Sequence, residues 1–385
     1  MTDWKRYSLS LAISETFAGD WGGDEHADQI DVPCVRVADF NREKQRISDD
    51  VPTIRSYPES KVDSKHLRAG DILIEKSGGG EKTPVGSAIY FDGPDGLMCT
   101  NFIQVLRLRI GHDPRFWTYA LRMKYAQGET NRMINQTTGI QNLDMQEYFG
   151  QKFDVPHPET QRRIADYLDK EISEMDTLID YFEALVRELE TRKTLLPNSK
   201  VNHQGASVPI VPAKLLTRIK TGEGDTQDAI EDGEFPFYVR SDTVRASDEW
   251  TFEGPAVLTS GDGAGVGKIF HYAEGRFRAH QRVYVLKDFR NVDPKYFYWC
   301  FQTNFPRRVE HGGAKATVES VRMNMVADTP IPLPPLEKQR EIADELDREF
   351  EKMNGLIEDS KRLVSLLKER KTVLITEAVT GRKEV

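Results

Sequence analysis

The chain has 385 residues, of which 38% are hydrophobic and 30% charged, and its formal net charge is −9 at pH 7. This composition is typical of a globular protein with two or three domains. It contains no apolar run near the roughly 20 residues of a membrane span and gives no general indication of nucleic-acid binding. Cys34, Cys99 and Cys300 are too few and too widely spaced for a disulfide framework or a zinc site. With an N-terminus that lacks the apolar core of a signal peptide, they predict a cytoplasmic protein.

Residues 1–155 are predicted to form a strand-rich globular domain. Short apolar runs bounded by turn residues favour strands at 32–37, 71–74, 85–91 and 102–108. Pro114 precedes a segment, 115–124, that is predicted to be a helix with proline in its first turn.

A long amphipathic helix is predicted to follow, at residues 159–196. Steps of three and four residues place one apolar stripe on one face: Ile164, Leu168, Ile172, Met175, Ile179, Phe182, Val186 and Leu189. A helix of about 55 Å has to bury such a stripe against a partner. Leu196-Pro197-Asn198 is expected to end the helix, and the polar residues as far as Gln204 are expected to form a linker.

The helical segment occurs twice. Residues 337–374 repeat 159–196 without a gap at an offset of 178, so that Gln161 corresponds to Gln339 and Asp169 to Asp347. The second stripe comprises Ile342, Leu346, Phe350, Met353, Ile357, Val364 and Leu367. We expect the two stripes to pack against each other. A stripe that packs on a globular domain is the alternative.

Residues 201–333 repeat the order of motifs in 1–155, less closely. The run Ile72-Leu73-Ile74 is similar to Ala256-Val257-Leu258, and Leu143 corresponds to Val321 at the helical offset. The chain is therefore predicted to be two tandem copies of a globular domain followed by a long helix. The boundaries expected are 1–155, 156–200, 201–333 and 334–385.

The most catalytic-looking segment is glycine-rich, residues 261–269 (GDGAGVGKI). A P-loop requires glycine where Asp262 stands and serine or threonine where Ile269 stands. The sequence also lacks the motifs of zinc proteases, serine hydrolases and amino-methyltransferases. The triplet Glu369-Arg370-Lys371 has nuclease-like spelling, but it lies in the middle of a helix on a charged face. These observations favour a non-catalytic binding protein with no metal site.

Three segments resemble the specificity subunits of type I restriction-modification enzymes. They are 332–343 (PLPPLEKQREIA), 258–268 with 279–282 (LTSGDGAGVGK and AHQR), and 312–323 (GGAKATVESVRM). The resemblance covers essentially the whole chain and is closer in the second half. In the first half, His157 and Pro158 stand where the second half has Pro335 and Leu336.

The resemblance implies an α+β fold in which two strand-rich target-recognition domains are separated by a pair of long antiparallel coiled-coil helices, related by a pseudo-twofold internal repeat. Each domain would read one half of a bipartite, asymmetric sequence in double-stranded DNA, and the helices would set the spacer. Two modification (methyltransferase) subunits would dock on the helices, and restriction (motor-nuclease) subunits would complete the complex. S-adenosylmethionine, ATP and magnesium are expected on those partners, with no cofactor on this chain.

Reading a DNA sequence needs side chains such as Arg, Lys, Asn, Gln and Ser at the groove edges. In the first domain the candidates are Arg36, Lys76, Ser77 and Lys82. In the second domain they are Arg240, Ser241, Ser260, Lys268, Arg276, His280, Gln281 and Arg282.

Two other functions compete with DNA recognition. One is a coiled-coil scaffold that joins two ligand-binding domains without DNA specificity. The other is an enzyme that uses the glycine-rich loop as a phosphate pocket, which predicts saturable nucleotide binding by the isolated chain.

Overall fold

The computed structural model describes residues 4–26, 29–48, 50–137, 139–202, 208–311 and 321–385. These residues form two compact units, 1–182 with 362–385 and 183–361. Residues 312–320 of the glycine-containing motif and residues 203 and 204 of the expected linker lie outside the described residues. The earlier part of that linker, as far as Asn202, is helical and not a linker.

The first unit contains the strands and short helices of the N-terminal half. In chain order they are β1 (Lys5–Ser8), α1 (Leu9–Ala12), β2 (Ile13–Ala18), β3 (Ile30–Val35), β4 (Phe40–Asn41), β5 (Arg46–Ile47), β6 (Ile54–Tyr57), α2 (Glu59–Lys65), β7 (Ile72–Glu75), β8 (Ser77–Gly78), β9 (Ala88–Tyr90), β10 (Met98–Cys99), β11 (Ile103–Leu108), α3 (Pro114–Ala126), β12 (Ile134–Thr137), β13 (Ile140–Leu143), α4 (Met145–Gly150) and β14 (Lys152–Val155). The long helix α5 (Pro158–Asn202) follows. The predicted strands and the predicted helix at 115–124 are confirmed, with shifted ends.

The second unit repeats this order. Its elements are β15 (Ile210–Pro212), α6 (Ala213–Leu216), β16 (Arg218–Thr221), β17 (Phe235–Tyr238), β18 (Arg245–Ser247), β19 (Phe252–Glu253), β20 (Ala256–Ser260), β21 (Phe270–Ala273), β22 (Arg276–Ala279), β23 (Val283–Lys287), α7 (Pro294–His311), α8 (Met323–Ala327), β24 (Pro330–Pro332) and the long helix α9 (Leu336–Val379).

Each unit has an antiparallel sheet with the same strand order, β2-β11-β7-β9 in the first and β16-β23-β20-β21 in the second. Each also has one parallel pair, β3 with β10 and β17 with β22. The predicted α+β class with an internal repeat is therefore confirmed.

The register of the sheets corrects the sequence alignment of the two halves by one residue. Ile72 pairs with Leu106, and both side chains belong to the cluster under α3 and α5. Val257 pairs with Leu286 in the corresponding cluster of the second unit. Ile72 therefore corresponds to Val257, and the match to Ala256 was wrong. When both faces of a buried strand are apolar, the sequence does not show which residues lie on which face. A sequence alignment that is shifted by one residue then looks as good as the correct one.

Each unit has one glycine at an equivalent position where two backbone segments approach closely. A Cβ on Gly19 would lie 2.3 Å from the carbonyl oxygens of Cys99 and Thr100. A Cβ on Gly222 would lie 2.1 Å from the carbonyl oxygen of Ala279. The close backbone approach requires glycine at both positions.

The first long helix does not end where Pro197 predicts. It continues to Asn202 with Pro197 inside it. Proline removes one backbone donor from a helix, but the last turn is anchored by the fully buried Val201 and by an ion pair of 2.6 Å between Lys200 Nζ and Glu345 Oε1. Tertiary packing therefore outweighs the local signal.

The second helix ends as its sequence suggests, with Gly381 just beyond it at φ +71°. A left-handed glycine of this kind commonly follows the last turn of a helix.

The long helices run antiparallel. Within the second unit, Lys200 pairs with Glu345 whereas Glu190 pairs with Lys361. Within the first unit, Lys371 forms an ion pair with Asp176.

The apolar stripes are divided between two kinds of contact. Ile164, Leu168, Ile172 and Met175 belong to the core of the first domain, together with Leu374, Ile375, Ala378 and Val379 of α9. Ile342 and Leu346 belong to the core of the second domain. Leu189, Met353 and Ile357 form a separate helix–helix cluster with the half-buried Val186 and Phe350. Ile179 is also buried, whereas Phe182, Val364 and Leu367 are half-buried. Both packing alternatives therefore occur, at different points along each helix.

Each domain is fastened to its following helix by a buried glutamine. Gln161 Oε1 accepts from Asp113 N at 3.1 Å, and its Nε2 donates to Pro156 O at 2.9 Å. Gln339 makes the same two bonds, with Asp293 N and Pro334 O, both at 2.8 Å. The repeat therefore extends to individual hydrogen bonds.

Candidate nucleic-acid interface

In the second domain, seven of the eight candidate DNA contacts lie at the ends of β17, β20 and β22 or on the loops that follow them. A shared backbone bond defines the equivalent positions: Leu143 N donates to Lys76 O at 2.8 Å, and Val321 N donates to Gly261 O at 2.9 Å. Leu143 therefore corresponds to Val321, as the sequence predicted. The next residues, Ser77 and Asp262, occupy equivalent places in the two domains.

In the second domain, two arginines converge on Asp262. Arg240 Nη1 lies 3.0 Å from Asp262 Oδ1, and Arg282 Nε lies 3.6 Å from Asp262 Oδ2. The arginine side chains are 47% and 64% exposed, whereas Asp262 is 18% exposed. One carboxylate thus holds two cations at the surface and leaves most of their N–H donors directed to solvent. We call Arg240, Asp262 and Arg282 the arginine cluster.

His280 supports this cluster from below. Its side chain is 4% exposed, and its Nδ1 accepts from Arg282 N at 3.0 Å. The backbone N–H of His280 donates to Tyr238 O at 2.9 Å. Burial, followed by the charge of Arg240, lowers the pKa of the His280 imidazole. A neutral His280 therefore orients the turn that carries Arg282.

Three further candidates make internal hydrogen bonds. The Ser260 hydroxyl is buried and donates to Asp262 O at 2.8 Å. The Gln281 amide donates to Asp225 Oδ2 at 3.1 Å, and the Ser241 hydroxyl donates to Thr243 O at 3.2 Å. These bonds shape the loops around the arginine cluster.

The glycine-rich loop borders an open cleft of about 390 Å³, which Arg240, Ser241, Arg245 and Asp262 also line. Gly263 has φ +75°, and a Cβ on Gly265 would lie 2.8 Å from Arg240 O. Glycine is therefore needed at position 265, because the loop packs closely against the backbone of Arg240, which follows β17. Lys268, on the same loop, is exposed and suited to a phosphate contact.

Two neighbouring arginines of β22 differ in environment. Arg276 is exposed, lies over the Trp250 ring at 4.7 Å and has Glu253 at 3.8 Å. Arg278, which flanks the glycine-rich turn in sequence together with Arg276, is 14% exposed and forms ion pairs with Asp228 at 2.7 Å and Glu249 at 2.9 Å. Its environment is that of a structural residue. Neither arginine belongs to the arginine cluster.

The first-domain candidates are more dispersed. Arg36 pairs with Asp39 at 3.1 Å within a short 3₁₀ turn. Lys76 is half-buried, and burial lowers the pKa of its ammonium group. Lys82 is exposed on the loop between β8 and β9. Ser77 donates to Asn142 Oδ1 at 2.8 Å.

Asn142 and its cross-strand neighbour Asn135 were missed, as was Arg245. Both asparagines are exposed on the β12–β13 hairpin. The alternation Ile140-Gln141-Asn142-Leu143 was a usable signal, because it places every second side chain on one face of a strand. Asparagine side chains can read base edges.

Among the described residues, Glu25, His26 and Asp31 form an exposed group of metal-ligand type. His26 Nδ1 lies 2.9 Å from Asp31 Oδ2, so the group is accounted for by its internal contacts. Within the same described ranges, no helix is long and apolar enough to cross a membrane.

Comparisons with known proteins agree with this architecture. Residues 16–179 and 216–364 match the model of the type I restriction modification DNA specificity domain. The type I restriction enzyme EcoDI specificity subunit of Escherichia coli is 26% identical over 166 residues, 43% of this chain and 36% of that protein. A putative type I specificity subunit of Mycoplasma pneumoniae is 26% identical over 261 residues, 63% of this chain and 91% of that protein. The chain thus matches little more than a third of the length of the first relative.

Two solved structures share the fold. One, from work on complex assembly and conformational transition of the type I R-M system, has a TM-score of 0.71 at 16% identity, covering 99% of this chain and 98% of that one. The HsdS subunit from Thermoanaerobacter tengcongensis has a TM-score of 0.61 at 17% identity, covering 99% and 97%. Because the family model matches both halves and most of the chain, this protein belongs to the type I restriction-modification DNA specificity family.

Proposed function

We propose that this chain is the DNA-recognition subunit of a type I restriction-modification complex, in which each globular domain reads one half of an asymmetric bipartite target. The observation that carries the proposal is a pair of structurally equivalent positions, 77 and 262, with different chemistry. Ser77 bonds to an amide in the first domain, whereas Asp262 bonds to two arginines in the second. Two copies of one scaffold with different side chains at the same point suit the recognition of two different half-sites.

Sequence is read by side chains at base edges, and phosphate contacts fix register. The exposed arginine cluster has the donors that base edges require, and Lys268 is placed to contact the backbone. The overall charge of −9 makes additional positive surface from partner subunits useful, since phosphate contacts supply much of the affinity for DNA.

The helices are proposed to set the spacer. Each is continuous, with 45 residues in α5 and 44 in α9, so each is about 66 Å long. Half-sites one turn of DNA apart are separated by about 34 Å. Helix length, rather than contacts to the intervening bases, would then fix the distance between the half-sites.

Exposed apolar residues on the helices support the docking of two modification subunits. In the first unit Leu178 is 47% exposed and Val373 is 46% exposed. In the second unit Leu356 is 41% exposed and Leu195 is 62% exposed. Leu178 and Leu356 occupy equivalent repeat positions, as do Leu195 and Val373. Exposed apolar residues that recur at equivalent repeat positions suit two copies of one partner.

In this proposal the chain itself is not an enzyme. The modification subunits would bind S-adenosylmethionine, and the restriction subunits would use ATP and magnesium, all in the cytoplasm. The glycine-rich loop then serves to position Arg240 and Lys268, and the isolated chain should show no saturable nucleotide binding.

The deciding experiment is a base-resolution methylome of cells that express this chain with its neighbouring methyltransferase, compared with cells that lack only this chain. We expect methylation at one split motif to disappear, which would give both half-sites and the spacer. An unchanged methylome, with the complex shown to form, would instead favour a coiled-coil scaffold without DNA specificity.

A further inference from the structure

The hairpin β12–β13 gives the first domain an uncharged polar face beside Ser77. Asn135 lies directly opposite Asn142 in the register, and Asn142 lies opposite Ser77 of β8. Residues opposite each other in a sheet have their side chains on the same face, about 5 Å apart. The three side chains therefore form a row across three strands.

This row points away from the protein core. Gln141 and Leu143, on the other face of β13, are buried, whereas Ile140 and Asn142 are exposed. Ile140 is 49% exposed and shares the outward face with Asn142. We call Ser77, Asn135, Ile140 and Asn142 the amide face. None of its side chains carries a charge.

One hydrogen bond sets the orientation of the Asn142 amide. The Ser77 hydroxyl donates to Oδ1 at 2.8 Å, so the amide oxygen faces β8 and the Nδ2 donors face away from it. The oxygen keeps a second lone pair. Asn142 therefore offers one acceptor and one donor side by side, which matches the N6 amino group and N7 of adenine.

Guanine is a poor match for this face. Its major-groove edge presents two acceptors, O6 and N7, and is read best by a side chain with two donors. The thymine of an A·T pair presents a methyl group, for which the exposed Ile140 is an apolar neighbour.

The equivalent place in the second domain has the opposite preference. Arg240 and Arg282 carry donors only, and Asp262 holds them in place. Two adjacent guanidinium donors match guanine O6 and N7, and a carboxylate brace reduces the side-chain entropy lost on binding. The first domain thus presents a hydrogen-bond acceptor beside a donor, whereas the second domain presents adjacent donors.

We propose that the amide face reads an A·T pair in the first half-site and that the arginine cluster reads a G·C pair in the second. This inference rests on the proposed function and specifies the base class at each reading surface. It makes Asn142 and Arg240 specificity-determining residues of their half-sites.

The test compares methylome motifs and binding to libraries of randomised half-sites, using the assembled complex with the modification subunit. Asn142→Ala should lower the preference for A·T at one position of the first half-site by about ten-fold or more, with the second half-site unchanged. Arg240→Ala should do the same to a G·C position of the second half-site only. Gln136→Ala is the matched control, because Gln136 is an exposed amide on the same hairpin whose register places it on the other face.

Asn142→Asp should change which base pair is preferred, a result that misfolding cannot produce. A carboxylate keeps the bond from Ser77 but has no donor for N7, so the preference should move toward a pair that presents the cytosine amino group. The inference is overturned if the first half-site has no A·T position that responds to Asn142, or if Gln136→Ala has the same effect. A complex that forms but shows no bipartite motif at all would refute the proposed function as well, and so is distinct from a failure of the base assignment.

Discussion

The buried glutamine that fastens each domain to its helix predicts a large and local loss of stability. Gln339 is 1% exposed, and Gln339→Ala removes the partners of Asp293 N and Pro334 O together. A buried polar group left without a partner costs about 1–3 kcal/mol, so two such groups cost about 2–6 kcal/mol. For a domain of this size, 1 kcal/mol lowers the melting temperature by about 2–4 °C. The variant should therefore unfold about 4–24 °C below the wild type.

Differential scanning calorimetry of the complete chain measures this loss, and hydrogen exchange locates it. Exchange should increase at the start of α7, where Asp293 Oδ1 caps the helix by accepting from Lys295 N and Tyr296 N, both at 3.0 Å. Lys338→Ala is the control, because the neighbouring Lys338 is exposed and pairs with Glu341 at the surface. If Gln339→Ala melts no lower than Lys338→Ala, water replaces both hydrogen bonds at little cost and the reasoning fails.

Three other predictions concern the interface and the helices. Lys268→Ala should weaken DNA binding by the assembled complex and reduce the slope of log K against log [salt] by about one, while sequence specificity is retained. Arg282→Ala should also weaken DNA binding. Unchanged affinity in both variants would exclude this loop from the interface. Inserting seven residues into both long helices adds about 10.5 Å, so the methylome motif should gain about three spacer base pairs with both half-sites preserved, and an unaltered spacer would contradict the role of the helices. His280 has a lowered pKa when folded, so the stability it contributes is present above the ordinary histidine pKa of about 6.5 and is lost as pH falls through the folded-state pKa. Thermal unfolding at pH 7 and pH 5 should therefore show a smaller acid loss in His280→Asn than in the wild type, whereas equal losses would show that His280 does not titrate with unfolding.

The long helices were predictable from sequence because their signal is periodic and repeated. The stripe from Ile164 to Leu189 identified α5 before any tertiary contact was known, and the gapless offset identified α9. What the periodicity did not give was the partner of each stripe residue, since a buried face looks the same whether a domain or another helix covers it. Pro197 misled because the contacts that hold the last turn come from residues more than 100 positions away.

The reading surfaces were only partly predictable, because they depend on strand register. Ser77 was a candidate, but its partner Asn142 lies 65 residues later and meets it only through the pairing of β8 with β13. Arg240 and Arg282 were both candidates, yet nothing in their spacing placed them on one carboxylate. The correspondence of Ser77 with Asp262 required the backbone bonds from Leu143 N to Lys76 O and from Val321 N to Gly261 O, since the sequence alignment of the preceding strands was shifted by one residue.

The pattern of identity between the two halves follows from these contacts. Asp169 accepts from Arg115 at 2.7 Å and from the Tyr119 hydroxyl at 2.7 Å, and its counterpart Asp347 accepts from Lys295 at 2.9 Å and from Trp299 Nε1 at 2.8 Å. A helix residue that holds a domain in place has to keep its chemistry in both copies, even when the donors that reach it change. At the strand ends, Ser77 contacts the exposed Asn142 and Asp262 contacts the exposed Arg240 and Arg282. Each can therefore change together with its neighbours without disturbing the core. The same scaffold can therefore carry two different recognition surfaces, because the residues at the strand ends can diverge while the helix residues that hold each domain stay the same.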